Sequence, residues 1–104
     1  MGAVQTLDRL RVLEHLYRQG VWSEVFDRTI DKLLAMEVEQ TLAEKEDLER
    51  RLAAFETQYG MGSADFYRRF RAGEVGDEMD FVEWSVFYEM YQTLLQRLEM
   101  LGAG

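Results

Sequence analysis

Apolar residues recur at spacings of three and four along most of this chain, the period of one face of an α-helix. Proline is absent, and glycine falls almost only where a helix can end, at Gly20, Gly60, Gly62, Gly73 and Gly76. These breaks predict an all-α fold of four helices, at about 7–19, 23–59, 64–72 and 78–101. One long central helix dominates it, in an antiparallel helical hairpin or bundle with a coiled-coil-like seam. Thr6, Ser23, Ser63 and Asp77 stand where the four helices need N-caps.

In the first helix Leu7, Leu10, Leu13 and Tyr17 form the apolar stripe. In the second, Phe26, Ile30 and Leu33 lead into a heptad displaced by one residue. Leu34, Thr41, Leu48 and Phe55 take one core position, and Val38, Lys45, Leu52 and Tyr59 the other. The displacement predicts that the two halves of this helix face different neighbours, with the first helix on the early half. Thr41 and Lys45 are polar residues in the seam, where they either set register or, for Lys45, snorkel to solvent.

The third helix turns Phe66 and Phe70 one way and crowds Arg68, Arg69 and Arg71 at its C-terminal end. The fourth is apolar over an unusually broad arc, from Phe81, Trp84, Phe87, Tyr88 and Tyr91 to Leu94, Leu95, Leu98 and Leu101. Val82, Val86 and Met90 widen the arc and leave Ser85, Glu89, Gln92, Gln96 and Glu99 as the solvent stripe.

Length adds a constraint. At about 1.5 Å per residue the second helix would run on the order of 55 Å, against a radius of gyration of about 13 Å for a compact chain of this size. The 104 residues fit one helical domain, 1–104, but not a simple globule. The surplus apolar surface predicts a homodimer. Its self-association residues are Leu34, Val38, Leu48 and Leu52 on the second helix and Phe87, Tyr88, Tyr91, Leu95 and Leu98 on the fourth.

Composition narrows the function. An apolar content of 47% excludes a disordered chain, and 31% charged residues keep it soluble. Twenty acidic against twelve basic side chains give a net charge of −8, which repels nucleic-acid phosphate and anionic lipid and favours a basic or neutral protein partner. Neither an export signal nor an apolar run of membrane-spanning length is visible, so a cytoplasmic location is expected.

Catalytic chemistry finds no foothold. Without cysteine, and with His15 as the single histidine, neither a zinc site nor a nucleophile–base pair can be assembled. The Glu14-His15 pair lacks the three-residue spacing of a di-iron bundle. A non-enzymatic chain with no cofactor and no metal is expected. The run Gly73 to Asp80 is dense in carboxylates but lacks the order of a calcium-binding loop. It reads either as a helix start, with Asp77, Glu78 and Asp80 near the positive end of the helix dipole, or as a docking surface for a basic partner. In the second case Glu74, Asp77, Glu78, Asp80, Phe81, Glu83 and Trp84 form the partner-binding set. Tyr67-Arg68-Arg69-Phe70-Arg71 offers a weaker nucleic-acid reading, against which stands simple pairing of cations with the acidic turn.

Phe66, Phe70, the string Gly-Glu-Val-Gly-Asp-Glu-Met-Asp-Phe-Val-Glu-Trp at 73–84, and Tyr88 resemble a group of small prokaryotic all-helical proteins proposed as toxin–antitoxin components. The resemblance spans roughly the last 40 residues and implies an antitoxin-like inhibitor that binds and neutralises a partner toxin, often a nuclease. The chain shows neither a compact helix-turn-helix nor a basic N-terminal arm, so direct operator binding is not expected. The functions in contention are thus an antitoxin-like binding protein, a self-associating structural or adaptor module, and an RNA- or DNA-binding helical protein.

Overall fold

The computed structural model describes residues 2–103. Its helices are α1 (Ala3–Arg18), α2 (Glu24–Tyr59), α3 (Ser63–Arg71) and α4 (Met79–Met100), and no strand occurs among the described residues. The fold is all-α, with α2 as the long central helix. The chain divides into two compact units, one ending at Leu33 and the other beginning at Leu34, and α2 supplies residues to both.

In the first unit, α1 and the opening turns of α2 form a hairpin. The Tyr17 and Phe26 rings stack at 6.2 Å, and the Tyr17 hydroxyl lies 2.8 Å from Asp27 Oδ1 and 3.0 Å from the Ser23 carbonyl. Asp27 also accepts the Trp22 indole N–H at 2.7 Å. Ser23 caps α2 as the sequence predicts, its Oγ accepting the Phe26 N–H at 3.4 Å. None of the described side chains before Leu34 is buried.

In the second unit, the later part of α2 packs against α4. Tyr59 meets Phe81, Phe55 meets Trp84 and Phe87, Glu49 meets Tyr91, and Glu44 meets Arg97. Partners ascend on α4 as they descend on α2, so the two helices run antiparallel. The heptad positions Thr41, Leu48 and Leu52 are buried, opposite an interior that includes Leu94 and Leu98. The α3 helix covers part of one flank through Phe66, whose ring lies 3.8 Å from that of Trp84 and within 3° of parallel. Trp84 is 0% exposed, and its indole N–H donates to Ser63 Oγ at 2.9 Å. Burying so large a side chain is favourable only when its single polar atom finds an acceptor.

Helix ends follow local rules where glycine stops them. At the end of α2, Gly60 adopts φ 63° and the next residue, Met61, returns its N–H to the Glu56 carbonyl. The α3 helix stops in the same way at Gly73, φ 74°, with the Glu74 N–H on the Arg69 carbonyl. A side chain at either glycine would sit in the left-handed region that L-residues avoid.

Helix starts correct the sequence reading. The α1 helix begins at Ala3, so Thr6 lies inside it and bonds back to the Gly2 carbonyl instead of capping. Ser63 is the first residue of α3 and its hydroxyl accepts from Trp84; its N–H goes to the Glu56 carboxylate at 2.9 Å. Glu78, not Asp77, holds the cap position of α4 and makes no side-chain cap bond. Ser85, read as part of a solvent stripe, is buried with its hydroxyl on the Val82 carbonyl, while Val82, Val86 and Met90 are exposed.

These contacts set the expected costs of substitution. Trp84→Ala should destabilise the chain by about 3–5 kcal/mol, and Ser63→Ala, which strands the indole N–H, by about 1–3 kcal/mol. Thr41 is 1% exposed and its Oγ1 has no hydrogen-bond partner, so Thr41→Val should stabilise by about 1 kcal/mol. Urea unfolding followed by far-UV circular dichroism measures all three.

Candidate functional site

A pair of antiparallel helices has two flanks, and in the second unit α3 covers part of one, beside a smaller opening of about 450 Å³ at Leu52, Ala64, Tyr88 and Tyr91. On the α3 side, Tyr67 packs on Tyr88 with ring centroids 5.0 Å apart and donates its hydroxyl to Glu89 at 2.7 Å. On the other side, an open groove of about 810 Å³ runs between α2 and α4. Its floor is apolar, formed by Ala43, Leu48, Val86, Phe87, Met90 and Leu94. It spans positions 86–97 of α4, roughly three helical turns at 1.5 Å per residue.

Charge rims this floor. Arg51 pairs with Asp47 at 3.0 Å and holds its guanidinium 5.2 Å from the centre of the Phe87 ring; Arg97 faces Glu44 at 3.7 Å. Both rim arginines are thus engaged by carboxylates within the chain. An apolar strip three turns long between charged edges matches the surface that receives one face of an amphipathic helix.

The depth and register of the α2–α4 pair are held by phenol–carboxylate hydrogen bonds. Tyr59 donates to Asp80 at 2.6 Å and Tyr91 to Glu49 at 3.0 Å, and Lys45 adds an ion pair to Glu49 at 3.1 Å. The Glu49 carboxyl is held below its ordinary range by Lys45 first and the Tyr91 hydroxyl second, partly opposed by desolvation. The Asp80 bond, followed by desolvation, raises the Tyr59 phenol; the Glu89 bond does the same to Tyr67. For Tyr91 desolvation leads and the Glu49 bond follows. The Glu49 bond also raises Lys45, which stays charged and half-buried beside its partner and does not cross into the groove.

The structure separates the residues that the sequence grouped as a partner-binding set. Glu74, Asp77, Glu78 and Glu83 are exposed. Asp80 is bound to Tyr59 and half-buried, Phe81 is half-buried against Tyr59 and Phe66, and Trp84 is sealed in the core, so all three take part in the packing of the fold. Of the self-association set, Leu48, Leu52 and Leu98 are buried within the chain's own interior, Leu48 at the base of the groove. Val38, Tyr88, Tyr91 and Leu95 are half-buried, Phe87 is half-buried in the groove, and Leu34 is exposed. Val86 and Met90, read only as widening the α4 face, are the groove residues that sequence reasoning passed over. Their signal was the excess of apolar positions over one helix face.

Arg68 and Arg69 pair with Asp65 inside α3, not with the acidic turn. His15 is exposed and faces Gln19 at 3.2 Å. Among the described residues no group of three His, Asp or Glu side chains is placed to hold a metal ion, and no helix is long and apolar enough to cross a membrane. No family model, curated protein or solved structure matches the chain.

The clasps fix the expected pH dependence. Each raised tyrosine contributes stability that is complete below the ordinary phenol value of about 10 and is lost as pH rises through the raised value. Glu49, being lowered, contributes above the ordinary carboxylate range, and its share is lost as pH falls through the depressed value. The urea midpoint should therefore hold between these limits and fall beyond both. Tyr91→Phe should shrink both losses relative to the parent chain, and an unchanged profile in that variant would count against the clasp.

Proposed function

We propose that this chain is a non-enzymatic protein-binding module that receives an amphipathic helix of another protein in the groove between α2 and α4. The observation that carries this reading is the uncovered apolar flank at Val86, Phe87 and Met90, lying over the buried Leu48 and Leu94, within a unit whose other flank is partly covered by α3. The residues from Leu34 onward hold fifteen acidic and seven basic side chains, the whole −8 of the chain. A helix with basic residues beside its apolar stripe meets this surface favourably, and the exposed Glu74, Asp77, Glu78 and Glu83 add attraction before contact.

The biological form of this activity is an antitoxin-like inhibitor. The resemblance of the 73–84 string supports it, as does the acidic charge, which suits capture of a basic nuclease-like toxin. Inhibition then follows from occupancy: a toxin helix seated in the groove is withheld from its own function.

Co-expression with the product of the adjacent gene tests the proposal. A stable complex and relief of that product's toxicity are expected, and absence of both would end the antitoxin reading. Met90→Glu places a charge on the groove floor and should weaken the complex at least tenfold. Paired reversal of Glu78 and Glu83 to Lys should mainly slow association and flatten its salt dependence. Titration by surface plasmon resonance separates the two effects.

A further inference from the structure

The opening on the α3 side differs from the groove in size and in chemistry. It spans positions 88–92 of α4, little more than one helical turn, so it admits a single side chain and not the face of a helix. Leu52 and Ser63 are its buried members, and around them stand the half-buried Glu49 and Glu56 of α2 and Tyr88 and Tyr91 of α4. The charged groups of this lining are two carboxylates, and no cation is among them. Glu49 meets both the Lys45 ammonium and the Tyr91 hydroxyl through Oε2, and Glu56 accepts the Ser63 N–H through Oε2. Each carboxylate therefore keeps an Oε1 with no partner among the described residues.

The tyrosines add a second observation. Of the five in the chain, Tyr17, Tyr59, Tyr67 and Tyr91 each donate a hydroxyl to a carboxylate. The Tyr88 hydroxyl is the one without a hydrogen-bond partner among the described residues. Its ring packs on Tyr67 at 5.0 Å and, with Tyr91, lines the opening.

We propose that this opening is a pocket for one arginine side chain of a partner protein. Aromatic rings attract a cation through their quadrupole, and carboxylate oxygens accept the N–H groups of a guanidinium in charge-assisted hydrogen bonds. The aliphatic stem of the arginine covers Leu52 and Ala64 while its head meets the rings and carboxylates. Lysine has the same charge, but its compact ammonium is more strongly hydrated and cannot stack on a ring, so arginine is favoured. The pocket lies across the α2–α4 pair from the groove and uses none of its residues. It rests on the groove reading only in taking the ligand to be a basic protein.

Titration of the isotope-labelled full chain with N-acetyl-arginine methylamide at constant ionic strength, followed by heteronuclear NMR, tests the pocket. Saturable shifts at Leu52, Glu56, Tyr88 and Tyr91 are expected, weaker with the lysine analogue and absent with the neutral citrulline analogue. Glu56→Gln retains an oxygen for the Ser63 N–H, and Tyr88→Leu retains apolar bulk against Tyr67. Each should lower the affinity at least fivefold, with the dispersed amide spectrum of the parent kept, and Met90→Glu should leave it unchanged. Absence of saturable shifts overturns the proposal, as do equal shifts from citrulline, affinity for lysine as high as for arginine, or binding that survives both substitutions together. Arginine binding without a complex in the co-expression experiment would remove the groove reading and leave the pocket standing.

Discussion

The second unit depends on the burial of one indole. Trp84 lies wholly out of water with Phe66 stacked flat upon it and Phe55 and Tyr59 against it, and its N–H is satisfied by Ser63. That arrangement requires three helices at once. The α4 helix must present the indole, α2 must supply the rings of Phe55 and Tyr59, and the first residue of α3 must deliver a hydroxyl to the one polar atom in the cluster. The position of α3 follows from this requirement. It covers part of the flank where the tryptophan lies, and the opposite flank is left as the groove.

The α2–α4 pair is registered by a second type of contact. Phenol–carboxylate hydrogen bonds reach across from Tyr59 and from Tyr91, one at each end of the aromatic cluster, and Tyr67 does the same between α3 and α4. A phenol suits this place because its ring joins the apolar packing while its hydroxyl stays at the rim, where a carboxylate remains solvated. The groove floor therefore lies between helices whose separation and axial stagger are already set, and a ligand helix would not have to order them on binding.

How legible this was in the sequence depends on how local the cause is. The long heptad seam and the glycine stops were readable, because a period of three and four and a left-handed residue are properties of a few adjacent positions. The helix starts were less so. Ser63 has the chemistry of a cap, yet its hydroxyl is claimed by an indole twenty-one residues away. The orientation of α4 was the largest loss. A helix apolar over most of its circumference has a period but no phase, and only the aromatic partners on α2 and α3 decide that Ser85 turns inward and Met90 outward. For the same reason Trp84, beside an acidic turn, had the sequence signature of a recognition residue and became the centre of the core. The charge imbalance between the two units was present in the sequence throughout, but it acquires meaning only once the boundary at Leu33 is known.

The two tryptophans fall one to each unit, in opposite surroundings. Trp84 is enclosed by rings, whereas Trp22 is 68% exposed and bonded to Asp27. Indole emission shifts with the polarity around the ring, so the chain contains two native optical reporters separated in wavelength. The blue component follows the aromatic interior of the second unit, and the red component follows the hairpin of the first. The melting of each unit is therefore resolvable in one unlabelled sample, and so is the order in which they are lost.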